Sequence, residues 1–161
     1  MIERNKAVPA VYLLLLKHDE ILLMQRAGSG YYDGWYSLPA GHVEYRESPI
    51  HALIRECKEE VAIELTREEL VFGTLLYREA HDETGDRADL FFVSREGEKY
   101  QPRIMEPDKC TDLRWFKLDD LPENMVQNVR FAVHKALSGE TYAELDFATL
   151  DAYEREYRKS L

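Results

Sequence analysis

The chain has 161 residues, 45% of them apolar and 32% charged, with a formal net charge of −10. That length and that apolar share fit one ordinary domain with a core of its own, and they exclude a disordered chain. An acidic balance argues against a protein that tracks the phosphates of a long nucleic acid, but leaves room for a small anionic substrate where a divalent cation reverses the local field. The two cysteines, Cys57 and Cys110, form no CxxC pair. No zinc site is expected, and both read as reduced and buried in a cytoplasmic protein. The apolar run at 11–16 (VYLLLL) is far too short to span a membrane, and its flank lacks a signal-peptide layout, so neither secretion nor membrane insertion is expected.

In chain order, residues 7–17 read as a buried strand, His18-Asp19-Glu20 as a polar turn, and residues 21–25 as a strand pairing back in a hairpin. Residues 27–36 (AGSGYYDGWY) read as a loop, and Ser37-Leu38-Pro39 leads into Ala40-Gly41. Residues 48–61 are the clearest helix, with Ser48 as N-cap and Pro49 at the favoured first position. Strands follow at 70–78 and 88–94, joined by the polar loop HDETGDR. A charged loop at 95–109 carries Pro102 and Pro107. It precedes a strand at 112–117, a turn at Asp120-Leu121-Pro122 and a helix at 125–138. In the tail, Phe147, Leu150, Tyr153, Tyr157 and Leu161 recur at spacings of three and four, which predicts a terminal amphipathic helix. It either packs on its own domain, makes a dimer contact or covers the active site. The irregular alternation of strands and helices predicts an α/β (α+β) sandwich with a mixed sheet. Residues 1–139 form the main domain and 140–161 a C-terminal helical extension packed on it.

On a helical wheel of residues 48–61, Ile50, Leu53, Ile54, Cys57 and Val61 fall on one side. Glu56, Glu59 and Glu60 fall on the other, within an arc of roughly 100°. Carboxylate oxygens are hard ligands that suit Mg²⁺ or Mn²⁺, ions that keep several waters and also accept phosphate oxygens. Such an ion neutralises a diphosphate and acidifies a bound water. Acidic helix faces are commonplace and usually solvated, so the flanking residues decide the reading.

The stretch at 41–63, GHVEYRESPIHALIRECKEEVAI, resembles the Nudix box, G-x5-E-x7-R-E-U-x-E-E-x-G-U with U apolar. Gly41, Glu47, Arg55, Glu56, Glu59, Glu60 and Ile63 stand at the required places, and WYSLPAG resembles the usual approach to the box. Ala62 departs from it, standing where the family has glycine. Glycine there would end the helix in a left-handed conformation, which alanine adopts only at a cost of about 1 kcal/mol. The resemblance implies a Nudix-like α/β/α sandwich with the box as loop-helix-loop. It makes Glu56, Glu59 and Glu60 metal ligands, with the Ala40 or Gly41 carbonyl adding another. Arg55 would pair with Glu47 to hold the loop, and Glu59 or Glu60 is alternatively the base for water attack.

Outside the box, Glu106 is a candidate ligand or base by order and context, with Asp108 the weaker neighbour. Arg26, at a strand end, is a candidate phosphate contact, and Tyr31, Tyr32 and Trp35 are candidates for stacking on a base. Trp35 reads better as folding back on its own loop, and Trp115 and Phe116 as core. Gly41 joins Arg26 and Tyr31 as a substrate-binding position. Asn124, Gln127 and Asn128 lie where some family members recognise a base.

The implied function is metal-dependent hydrolysis of a phosphoanhydride bond in a nucleoside diphosphate derivative. The preferred substrate is a nucleoside triphosphate, intact or oxidised, cleaved to monophosphate and pyrophosphate as in MutT-like members. The alternatives are a nucleotide sugar or ADP-ribose hydrolase and a non-catalytic nucleotide-binding regulatory domain. The proline that marks ADP-ribose hydrolases is missing around Tyr77-Arg78-Glu79. The expected partner is a small nucleotide, with no long nucleic acid and no membrane, and the chain acts as a monomer or homodimer.

Overall fold

A strand that is apolar without interruption carries hydrophobic side chains on both faces, so both must be covered. Strand β1 (Ala7–Lys17) is such a strand. Its Val11, Leu13 and Leu15 pack with Leu53, Cys57 and Val61 of helix α1 (Pro49–Val61). Its Leu14 and Leu16 face the opposite way and pack with Val129, Ala132 and Val133 of helix α2 (Gln127–Leu137). A sheet between two helical layers follows. The computed structural model describes residues 1–79 and 84–160, apart from the side chains of residues 147, 150, 154, 157 and 160.

One edge of β1 pairs in parallel with β6 (Asp86–Ser94) from Ala7 to Leu15. Beyond β6 lie β5 (Val71–Arg78), antiparallel to it, and β8 (Tyr142–Leu145), parallel to β5. The other edge is divided. β4 (Ala40–His42) pairs with Ala10–Tyr12, whereas β2 (Glu20–Arg26) pairs only with Leu16 and Lys17. β2 then diverges with its own antiparallel partners, β3 (Tyr36–Ser37) and β7 (Cys110–Lys117). The sheet is therefore mixed, as expected.

The expected elements are present with shifted ends, and three short strands were not foreseen. Tyr36 closes the Gly-rich loop by starting β3, and Gly41 lies on β4. The segment 95–109 holds a short 3-10 turn at Gly97–Lys99. The tail is not helical throughout. Tyr142–Leu145 alternates exposed and buried residues and adds to the sheet before α3 (Phe147–Ser160) begins. That four-residue alternation is masked in the sequence by the longer helical spacing behind it. In α3, Tyr153 meets the Phe131 ring edge-on at 5.1 Å, and its hydroxyl is 2.6 Å from His134 Nδ1. His81, Asp82 and Glu83 of the HDETGDR loop, Leu161, and the side chains of Phe147, Leu150 and Tyr157 lie outside the described residues.

Candidate active site

Helix α1 begins where Ser48 accepts a hydrogen bond from the His51 N–H at 3.3 Å, with Pro49 in the first turn. It ends at Ala62, which takes the left-handed conformation at φ 58 and ψ 34 and donates its N–H to the Cys57 carbonyl. The helix thus terminates as a glycine would make it, and Ala62 bears the steric cost. A helix leaves its last carbonyls without partners. Here the loop before β7 supplies two of them, with Met105 N–H on the Glu60 carbonyl and Arg103 N–H on the Val61 carbonyl, both at 3.1 Å. Those two bonds carry the next residue, Glu106, to the acidic helix, where its charge acts on both Glu56 and Glu60.

Arg55 is the hub of the box. Its Nε and Nη2 grip the two oxygens of Glu47 at 2.8 and 3.0 Å, and Nη1 donates to Glu56 at 2.8 Å. Nη2 also reaches the His42 carbonyl at 3.3 Å, while Nη1 lies 3.5 Å from Glu59. Held by Arg55, the Glu47 carboxyl drops to a pKa of about 2. The loop from β4 to α1 is thereby fastened to the helix.

Glu56 and Glu60 face β4. The Ala40 N–H donates to Glu60 at 3.1 Å. A Cβ on Gly41 would lie 2.1 Å from the Glu56 carboxyl carbon, so only glycine admits that carboxylate. Burial pushes Glu60 up to about 8, and the charges of Glu56 and Glu106 add to the effect against the Ala40 N–H. Burial likewise raises Glu56, with Arg55 opposing. Glu59 stands apart, with its side chain 53% exposed and turned toward Arg55. Glu106 accepts from Lys109 Nζ at 3.2 Å. Among the described residues, no three His, Cys, Asp or Glu side chains are gathered closely enough to hold a metal ion as they stand.

A cavity of about 430 Å³ opens where β2 and β4 diverge, with Glu56, Glu60, Ala40 and Gly41 in its wall together with Arg26, Tyr31 and Asn128. A smaller one of about 270 Å³ shares Arg26, Ala40 and Glu60 and adds Lys109. Arg26 Nε donates to the Tyr31 carbonyl at 3.0 Å, and its guanidinium lies 5.6 Å from the Tyr31 ring centre. Trp35 folds back on the loop, meeting the Tyr32 ring edge-on at 5.5 Å. Of Asn124, Gln127 and Asn128, only Asn128 is in the wall, and Asn124 instead donates to the Gly34 carbonyl at 2.9 Å. The wall also contains Tyr12 and Arg78, which sequence reasoning did not single out. Their only sequence signal is polarity inside otherwise apolar strands. Tyr12 stacks on Phe91 at 4.4 Å, and burial raises its hydroxyl pKa.

An α/β/α sandwich whose carboxylate-bearing loop-helix-loop borders a cavity defines a structural class. A family model described as the NUDIX domain matches residues 6–136, and the chain belongs to the Nudix family. It is 34% identical over 114 residues to the NAD-capped RNA hydrolase NudC of Pseudomonas putida (strain W619), covering 71% of this chain and 38% of that protein. It is 33% identical over 82 residues to the 8-oxo-dGTP diphosphatase of Proteus vulgaris, covering 51% of this chain and 69% of that one. The chain thus spans less than half the length of the NudC relatives it matches. Among solved structures, the MutT NUDIX hydrolase from Burkholderia pseudomallei aligns with a TM-score of 0.71 at 25% identity, covering 81% of this chain and 98% of that one. The NUDIX domain of Shewanella oneidensis NrtR, solved with ADP ribose, shares the fold with a TM-score of 0.67 at 19% identity, covering 84% and 89%.

Proposed function

We propose that the chain is a divalent-metal-dependent pyrophosphohydrolase of nucleoside diphosphate derivatives, with nucleoside triphosphates as the preferred substrates. Water oxygen attacks one phosphorus, the anhydride P–O bond breaks, and monophosphate and pyrophosphate leave. The carrying observation is the placement of Glu56 and Glu60 in the wall of the same cavity as Arg26 and Tyr31, with Glu106 brought beside them. Glu56, Glu59 and Glu60, with Glu106 and the Ala40 carbonyl, are the proposed metal ligands. The donor chemistry suits a hard cation, because the carboxylates of Glu56 and Glu106 add to the cost of ionising Glu60, and Gly41 leaves room for the Glu56 carboxylate beside β4. A bound Mg²⁺ or Mn²⁺ supplies charge neutralisation and an acidified water. Arg55 and Glu47 hold the loop in place, Glu59 or Glu60 takes the water proton, and Arg26 binds phosphate with Tyr31 beside it. The free, buried Cys57 and Cys110 suit a reducing, cytoplasmic setting.

A second substrate class, dinucleotides with an internal diphosphate, is favoured by the identity to the NudC relatives. Turnover of nucleoside triphosphates, NADH and ADP-ribose with Mg²⁺ or Mn²⁺, scored for the bond broken, decides between them. Glu59→Gln and Glu60→Gln should each lose orders of magnitude in rate while staying folded. Full activity in both variants would overturn the assignment of Glu59 and Glu60 as ligands or base, and tight binding of a nucleotide with no turnover of any would overturn the hydrolase reading.

A further inference from the structure

Charged residues inside sheet strands are expensive, and this sheet carries a pair of them beside the cavity. Asp89 lies within β6, fully buried, and Arg78 ends β5 with its side chain 12% exposed. Leu76 is the register partner of Asp89, so Arg78 reaches it diagonally, and its Nε donates to Asp89 Oδ2 at 2.5 Å. The other oxygen, Oδ1, is buried without a partner. A buried ion pair is rarely more stabilising than apolar residues of the same size. What this one does is fix the plane of a guanidinium that lines the cavity. Among the described residues, the two Nη groups of Arg78 have no hydrogen-bond acceptor.

Charge separates Arg78 from Arg26. Arg26 is anchored by neutral oxygens, the Tyr31 carbonyl and the Ser29 hydroxyl, and keeps its positive charge for phosphate. The charge of Arg78 is balanced by Asp89, so it offers an oriented fork of N–H donors with little net attraction for an anion. Such a fork matches two adjacent neutral acceptors, and the O6 and N7 edge of a 6-oxopurine is the commonest such pair in nucleotides. The position agrees. Ala10 is register partner to both His42 on β4 and Asp89 on β6. Asp89 therefore lies two strand spacings, about 10 Å, from the strand that carries Gly41. A ribose fits between a diphosphate at one end and a base at the other.

We propose that Arg78, positioned by Asp89, is the residue that reads the O6/N7 edge of a guanine or hypoxanthine base in the substrate. This rests on the nucleotide-hydrolase reading and narrows it. In 8-oxoguanine N7 carries a proton and is no acceptor, so unoxidised 6-oxopurines are preferred.

The test is the specificity ratio. Wild type should favour dGTP and dITP over dATP, 7-deaza-dGTP and 8-oxo-dGTP by about 5- to 150-fold in kcat/KM, the range of one bidentate contact. Arg78→Lys keeps a cation against Asp89 but loses the fork, and should bring the ratio toward one. If that variant does not fold, the double variant Arg78→Met with Asp89→Asn removes both charges and should do the same. Equilibrium binding of GMP against AMP supplies a readout without turnover. Loss of GMP preference in the variant with no turnover of any nucleotide would sink the hydrolase reading and leave this inference standing. Turnover with no wild-type base preference, or with the preference kept in both variants, would overturn the inference alone. Neither turnover nor GMP preference would overturn both.

Discussion

Replacing Ala62 with glycine should stabilise the protein without touching its chemistry. Ala62 sits at φ 58 and ψ 34, closing α1 through its N–H on the Cys57 carbonyl. A Cβ in that conformation crowds the following carbonyl and costs roughly 1–2 kcal/mol. Glycine removes the crowding but enlarges the unfolded ensemble, which returns roughly 0.5–1 kcal/mol of the gain. The net is about 0.5–1 kcal/mol of added stability. For a domain of this size a kcal/mol moves the midpoint by about 2–4 °C, so Tm should rise by about 1–4 °C. Because the helix already follows the left-handed path, Glu59 and Glu60 do not move, and kcat should stay within error of wild type. Calorimetry and denaturant unfolding measure the first expectation, and nucleotide turnover the second. Ala62→Val is the control of opposite sign, since a β-branched residue is worse placed in that region. A midpoint that falls for the glycine variant would show that the left-handed cap is not where the strain lies.

Two carboxyls should shape stability against pH with opposite signs. Glu47 titrates at about 2 in the folded protein against its ordinary 4.5, so its pairing with Arg55 stabilises fully above about pH 4.5 and is lost as pH falls toward 2. Glu47→Gln should remove that acid limb from a series of urea unfolding curves, and an unchanged limb would contradict the pairing. Glu60 titrates at about 8 against 4.5, so the metal-free fold holds a proton that the unfolded chain releases, and stability should decline as pH rises from about 4.5 to 8. Glu60→Gln should flatten that decline, and a slope equal to wild type would place the proton elsewhere. Gly41→Ala forces a Cβ to 2.1 Å from the Glu56 carboxyl carbon, and turnover should drop by about 10²-fold with the fold intact, a displacement-sized effect. Normal turnover would mean that the position of Glu56 does not matter. A chain ending at residue 139 would uncover the β5 edge that pairs with Tyr142–Leu145, together with the Phe131 ring, and should aggregate in light scattering. A monodisperse product of wild-type stability would show that the tail is dispensable.

The proposed metal ligands were legible in the sequence and the proposed base contact at Arg78 was not, and the reason is contact distance along the chain. Glu47, Arg55, Glu56 and Glu60 lie within one loop and one helix, where spacing alone fixes geometry. Even there a wheel gives angle and not depth. It grouped Glu59 with Glu56 and Glu60, yet Glu59 is half exposed and turned to Arg55 while Glu60 is tied to Ala40. Glu106 could be nominated only by its order in the chain, because the loop that carries it docks through backbone N–H groups of Arg103 and Met105, which no side-chain pattern announces. β3, β4 and β8 have two to four residues each, too few for a period to show. Arg78 and Asp89 are visible as charges in apolar strands, but their meaning depends on the β5–β6 register and on β6 lying beside β1. The cavity wall draws on β1, β2, β4, β5, α1 and α2 together. A motif confined to one loop and one helix therefore carries the family resemblance, whereas the cavity wall beside it is assembled across the sheet, where pairing and not local sequence sets which side chains meet.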